Sequence, residues 1–250
     1  MASSTQKYLW RLILILTCGL MGAALLLTKS RGGYIAAAVG VILAVWFTGR
    51  RSWAIGLLAA TLVAIIGFLI STQGNSAPDL VAGAADSSTF AFRLNVWRIA
   101  LWMLQDFAFT GAGMGTFNDV GALLYPFYET QNPSAHNLYL QAGVDLGIPG
   151  LIALLATLML TLWLGGRALR RRRRHRGRRH KPAPARDTQL QPLTAGALAG
   201  IIGLMFHGLV DVALWNTRAA PAFWVMIAFV MALSREAEGR GSGGAEEQRR

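Results

Sequence analysis

Charge is scarce in this sequence, and acid is scarcer still. Of 250 residues only 14% are charged, and 12 acidic side chains stand against 24 lysines and arginines. A soluble globular domain carries nearer ~25% charged residues. With 54% of the chain apolar, an ordinary soluble domain is excluded and a polytopic membrane protein is indicated. Cysteine is all but absent. Cys18 is the single thiol and lies inside the first apolar run, which excludes a disulfide framework, a zinc cluster and a dithiol redox motif. It reads as a small buried residue.

What the sequence has instead is long apolar segments. Six are long enough, or nearly so, to cross ~30 Å of hydrocarbon as helices of about 20 residues: Tyr8 to Thr28, Gly33 to Phe47, Trp53 to Ile70, Leu138 to Leu164, Leu193 to Leu214 and Ala219 to Leu233. The expected fold is all-α, a polytopic membrane bundle of about six transmembrane helices. The first segment follows Lys7 and Arg11, as a signal peptide would, but its apolar core is long and no clean Ala-x-Ala site follows, so it reads as an anchor.

The formal net charge is +12, and eleven of the basic residues fall between Arg167 and Arg186 with no acid among them. A block of this kind on a short loop marks the cytoplasmic side of a membrane protein rather than a nucleic-acid interface. Lys7 with Arg11, Arg50 with Arg51, and the Arg167–Arg186 block fall at every second connection, so all three can be cytoplasmic together. The expected organisation follows: three transmembrane helices over 1–70, an extracytoplasmic loop over 71–137, and three more helices over 138–233 around a basic cytoplasmic loop at 165–192. A disordered cytoplasmic tail over 234–250 completes it, with both termini cytoplasmic.

The 71–137 loop is too long to be a mere connector. Its first part, Gly74 to Ser88, is small and polar. In its second part Leu94, Trp97, Leu101 and Leu104 recur at helical spacing, widened by Trp102 and Met103, which predicts an amphipathic helix from Arg93 to Gln105 on the bilayer surface. Gly111-Ala-Gly-Met-Gly115 ends it. That turn has the composition of a phosphate-cradling loop without the lysine and strand that nucleotide motifs need; it reads as a tight turn.

The stretch from Ser134 to Gly150 joins this loop to the fourth apolar segment and carries His136 beside Asn137. An imidazole where a loop enters a membrane helix sits where water meets bilayer. Eleven residues on, Gly147-Ile-Pro-Gly150 interrupts the segment, and a kink or break is expected there. In the fifth segment Gly196, Gly200, Gly203, His207 and Asp211 share one helix face. The glycines allow close packing, and His207 and Asp211 stand one turn apart, as a functional pair or as a tie between helices.

The deduced topology brings Arg31, Arg93, Arg98, His136, His207, Asp211 and Arg218 to the outer face. Arginine's planar, permanently charged fork suits phosphate oxygens, although single arginines at this level also serve as headgroup anchors. Arg31 stands apart because Ser30-Arg31-Gly32-Gly33 forces a charge into a very short turn between two spans. No Asp-x-Asp pair lies on this face and His136 has no histidine at metal-ligand spacing, so metal-assisted chemistry finds no support.

These residues resemble the O-antigen ligase family of bacterial membrane glycosyltransferases, which includes O-antigen polymerases and protein O-oligosaccharyltransferases. The likeness rests on Ser30-Arg31-Gly32 before a span, on Arg93-Leu-Asn-Val-Trp97 leading to Thr110-Gly-Ala-Gly-Met-Gly-Thr-Phe117, and on His136-Asn137, nine residues, then Gly147-Ile-Pro-Gly150. The resemblance implies transfer of a glycan from undecaprenyl diphosphate to an acceptor hydroxyl, on the outer side of the bacterial inner membrane, without metal or nucleotide cofactor. Acceptors in the family are lipid A core, protein or a growing polysaccharide. By position, Arg31 and Arg93 would hold the diphosphate and His136 would act on the acceptor; Asn137, Arg98, His207, Asp211 and Arg218 would support them. Family members usually have more spanning helices ahead of the Ser-Arg-Gly stretch, so the chain resembles the family's C-terminal half. Two alternatives stand beside the ligase: a polysaccharide polymerase, and a non-enzymatic transporter or scaffold in which His207 and Asp211 relay protons.

Overall fold

A computed structural model describes the backbone of residues 4–28, 30–72, 90–125, 134–178, 185–212, 215 and 220–247; side chains are described there except at 4, 7, 31, 64–72, 90, 91, 172–178, 185–189 and 237–247. The polar stretch Gly74 to Ser88 and Arg218 lie outside the described residues. The elements are α1 (Ser4–Leu27), α2 (Arg31–Phe47), α3 (Arg51–Thr72), α4 (Phe90–Asp106), α5 (Phe117–Leu124), α6 (Leu138–Arg178), α7 (Ala185–His207) and α8 (Ala220–Glu247). No strand occurs among the described residues. The all-α membrane class is thus what the chain adopts. Tyr8–Leu27, Leu138–Arg171 and Leu190–His207 are long and apolar enough to cross a membrane, and Gly32–Phe47 and Arg51–Val63 are shorter apolar helices.

Helix α7 organises the bundle, packing on α2, α6 and α8. Its contact with α2 is made by absent side chains: a Cβ on Gly203 would lie 2.8 Å from the Ala36 carbonyl oxygen and 3.4 Å from the Gly40 Cα. Small residues let two backbones approach where no hydrophobic effect drives helices together. The expectation of a uniform glycine face is only partly met. Gly200 faces Met226 of α8, and Gly196 faces nothing within 4 Å. Cys18, expected to be buried, is exposed, because none of the apolar span of α1 is covered by the rest of the chain.

Two apolar cores result. Leu138, Leu158, Ile201, Phe223 and Val230 form one among α6, α7 and α8. Val96, Ile99, Met103, Phe117 and Val144 form the other, where α4 and α5 cover the first turns of α6. The buried face of α4 is therefore Phe92, Val96, Ile99, Ala100 and Met103, while Leu94 and Leu101 of the expected stripe are exposed. The helix has apolar residues on two faces, and tertiary packing rather than periodicity selects which is covered. Helix α5 has no counterpart among the elements expected from the sequence.

Four boundaries differ from expectation. Helix α6 continues through the basic segment to Arg178, and α7 starts at Ala185, so much of the 165–192 connection is helical; arginine is a good helix former once the chain is clear of its apolar span. Helix α7 ends at His207 rather than Leu214. The tail expected to be disordered from Ser234 is helical to Glu247, continuing from a turn in which the Ser234 hydroxyl donates to the Val230 carbonyl at 2.7 Å.

The break in α6 falls where the sequence places it. Gly147 has φ 71° and ψ −177°, a conformation essentially reserved for glycine. Its site is also too tight for a side chain, since a Cβ would lie 2.7 Å from the Ala108 carbonyl oxygen. The glycine turn after α4 supplies the missing partners: Ala112 N–H donates to Val144 O at 2.7 Å, Gly113 N–H to Asp145 O at 3.2 Å, and Ile148 N–H to Ala108 O at 2.7 Å. Carbonyls left over at the end of the short half-helix are thereby paired. Pro149 then sits in the first turn of the second half, where its lacking N–H costs nothing. Gly147→Ala is expected to lower unfolding stability in detergent by about 3 kcal/mol or more, from backbone strain plus the clash. The control Gly196→Ala should be neutral or stabilising by up to ~1 kcal/mol.

Candidate functional site

Three helix ends meet at one end of the bundle. The first belongs to α2. Ser30 has extended backbone angles and its hydroxyl accepts the Gly33 N–H at 3.1 Å, a side-chain N-cap. Arg31 opens the helix, with its side chain outside the described residues. Gly32 follows because there is no room for more: a Cβ there would be 2.8 Å from Val210 Cγ2 and 3.8 Å from His207 Nε2. The Ser-Arg-Gly turn thus brings the start of α2 against His207.

The second and third ends are the start of α6 and the finish of α7, and they satisfy each other. Asn137 caps α6, its Oδ1 accepting the N–H groups of Tyr139 at 2.9 Å and Leu140 at 3.0 Å. Its Nδ2 donates to Leu209 O at 3.0 Å. Leu138 N–H donates to Gly208 O at 2.7 Å and the Tyr139 hydroxyl to Met205 O at 2.9 Å. Orphan donors of one helix and orphan acceptors of the other are thereby paired.

Just before this joint stands His136, with φ 46° the one non-glycine residue of positive φ among those described. The left-handed region is uncommon for a non-glycine residue and persists when surrounding bonds over-determine it. Its Nδ1 lies 3.9 Å from Asp211 Oδ1, and Asp211 Oδ2 lies 4.0 Å from His207 Nε2. The two histidines, expected to serve separate purposes, share one carboxylate. That carboxyl is held below the usual carboxylate range, chiefly by His136, against desolvation by burial and with help from the Val212 N–H and His207. A gap of 3.9 Å is longer than a hydrogen bond, and His136 Nδ1 is buried with no hydrogen-bond partner among the described residues. The influence of His136 on Asp211 is therefore that of a nearby Nδ1 across a short gap rather than of a formed hydrogen bond.

Helix α4 closes the other side. Phe92 meets the His136 ring edge-on at 6.3 Å between centroids, which brings the next residue, Arg93, to this end of the bundle. Arg93 is half-buried and its Nε is buried without a hydrogen-bond partner among the described residues. Arg98 is exposed and, five residues on, points about 140° away from Arg93 at ~100° per residue. The structure thus gathers His136, Asn137, His207 and Asp211 with the backbone of Arg31 and the first turns of α4, and leaves Arg98 apart. Among the described residues no group of three His, Cys, Asp or Glu side chains stands ready to hold a metal ion.

Sequence reasoning missed a second polar cluster beneath the site. Asp145 and Gln141 are each 2% exposed. Asp145 accepts from Gln141 Nε2 at 2.7 Å and from Trp215 Nε1 at 2.9 Å, and Gln141 Oε1 accepts the Ala135 N–H at 2.7 Å. An acid inside an apolar span is itself a signal, and Asp145 carried it. Tyr125 was missed as well: its hydroxyl donates to Asp106 Oδ2 at 2.6 Å, and burial together with that carboxylate raises its pKa.

The model of the O-antigen ligase family matches residues 16–155, more than half of the chain. The chain belongs to the O-antigen ligase family. It is thereby placed among membrane glycosyltransferases of the ligase and polymerase kind. The matched region of this family member contains Ser30-Arg31-Gly32, Arg93, and His136-Asn137 with the Gly147–Gly150 break; it stops short of His207 and Asp211. No curated protein matches the chain.

Asn137→Ala removes a cap and an interhelical bond and is expected to destabilise by about 3 kcal/mol, whereas Asn137→Asp, which keeps the cap acceptor, should cost roughly half as much; denaturant unfolding compares them. The depressed pKa of Asp211 means that its contribution is present above the ordinary carboxylate range and is lost as pH falls through its lower folded value. The Tm difference between the wild type and Asp211→Asn should therefore shrink as pH drops below about 4.

Proposed function

We propose that this chain transfers a glycan from undecaprenyl diphosphate to an acceptor hydroxyl on the outer side of the bacterial inner membrane, with both chain termini cytoplasmic. The carrying observation is His136: an imidazole on a left-handed backbone at a helix entrance, its Nδ1 toward Asp211 and its Nε2 left for substrate. Nε2 takes the proton of the acceptor hydroxyl. The hydroxyl oxygen bonds to the anomeric carbon, the bond from that carbon to the diphosphate oxygen breaks, and the electron pair leaves on the diphosphate. Configuration at the carbon inverts.

Asp211 stabilises the imidazolium that forms and holds the tautomer with Nδ1 protonated, tightening from 3.9 Å as catalytic contacts do when substrate binds. Arg93 and Arg31 neutralise the leaving diphosphate. The buried Nε of Arg93, unpaired among the described residues, supports this, since a buried donor without a partner is costly and a phosphate oxygen would satisfy it. Both arginines and His136 fall within the family match, at one end of the bundle. The basic segment after Arg167 stands at the other end, which supports the assigned orientation.

General base catalysis is worth ~10² to 10⁴ in rate. His136→Ala should reduce transfer by at least that range with membrane insertion intact, measured in cells without another ligase. Normal transfer by this variant would overturn the assignment. The product separates ligase from polymerase: a glycan on lipid A core or protein in one case, a lengthened glycan on the carrier in the other.

A further inference from the structure

Beneath the site lies a chain of hydrogen bonds that the proposed chemistry does not use. Asp145 stands at its centre. One oxygen takes Gln141 Nε2 at 2.7 Å, and Gln141 in turn takes the N–H of Ala135, the residue before His136, at 2.7 Å. The other oxygen takes Trp215 Nε1 at 2.9 Å. Trp215 belongs to the connection that carries Asp211, to which it is tied through its own N–H bond to Val212 O at 2.8 Å. Ala135 is fully buried and Trp215 is 8% exposed, so water cannot stand in for any of these partners.

We propose that Asp145 is a positioning residue that sets the separation of His136 and Asp211, holding the backbone of one through Gln141 and the segment of the other through Trp215. Every donor in the chain points toward Asp145, and a carboxylate is the side chain that offers acceptor capacity on both oxygens. Asparagine has nearly the same shape but presents one acceptor and one donor amide to two incoming donors. One contact fails, and if Gln141 turns to recover it, its amide then faces the Ala135 N–H. The left-handed backbone of His136 loses a restraint in either case. Misplacement of a catalytic group by ~1 Å costs roughly a hundredfold in rate.

The bearing on rate rests on His136 being the general base, so the test carries one readout that needs no glycan transfer. The full chain in lipid nanodiscs is labelled with ¹³C-aspartate, and the Asp211 carboxyl is titrated by NMR alongside transfer kinetics. Asp145→Asn is expected to move the Asp211 midpoint up toward the ordinary carboxylate value and to lower kcat by about a hundredfold, with KM within about threefold. The double variant Asp145→Asn with Gln141→Glu restores every bond: the carboxylate introduced by the second substitution accepts from Ala135 N–H and from the new amide, whose oxygen accepts from Trp215. It should recover both the Asp211 midpoint and kcat to within about threefold of the wild type.

If Asp145→Asn does not fold, Gln141→Met carries the test, since it breaks the link from Asp145 to Ala135 at both of its bonds and leaves the Trp215 bond in place. It should raise the Asp211 midpoint and depress kcat, with Tm lowered by the unsatisfied Ala135 N–H but the fold retained. An unchanged midpoint in a folded Asp145→Asn or Gln141→Met variant overturns the proposal, as does a folded double variant that stays impaired. A wild type that transfers no glycan while the midpoint shifts as described would overturn the assigned reaction and leave the positioning role standing.

Discussion

The reciprocal capping between α6 and α7 is the constraint on which the rest depends. A helix that begins or ends in an apolar medium leaves backbone donors or acceptors that no solvent can satisfy. Here Asn137, Leu138 and Tyr139 satisfy both ends at once, giving bonds to Leu209, Gly208 and Met205. His136 is placed by this joint rather than by its own contacts. Asp211 is placed by the turn that follows α7, in which its N–H donates to His207 O at 3.0 Å. Loosening the joint would move both halves of the pair.

A second constraint works through missing atoms. Gly32 against Val210, Gly203 against Ala36 and Gly147 against Ala108 are three places where one methyl group would force apart surfaces that now touch. Each belongs to a different part of the site: the arginine-bearing start of α2, the helix carrying His207, and the break that lets the glycine turn dock beneath His136. The close packing is thus continuous from the bundle interior to the polar cluster.

Much of this was legible in the sequence. Ser30-Arg31-Gly32 reads as a turn into a helix, Gly147-Ile-Pro-Gly150 as a break, and His136-Asn137 as a helix entrance, because each depends on local backbone chemistry. The buried face of α4 was not legible: Leu94 and Leu101 are as apolar as Val96 and Ile99, and only the tertiary partner decides between them. Nor was the role of Asp145, since Trp215 lies 70 residues away and Gln141 gives no sign of which amide atom points where. The basic run after Arg167 reads as a loop because charge marks the side of the membrane and says nothing about backbone conformation.

The length of α6 has a mechanical consequence. From Ile148 to Arg178 it is one helix, roughly 46 Å at 1.5 Å per residue, against ~30 Å of hydrocarbon. The surplus is a stiff stalk continuous with the rod that begins beneath the site. Gly165 keys that rod to its neighbours, since a Cβ there would be 2.8 Å from Leu198 and 2.9 Å from Val230. A rod held in this way neither slides nor turns without unpacking α7 and α8, so whatever grips the arginines at one end also steadies the lever arm at the other.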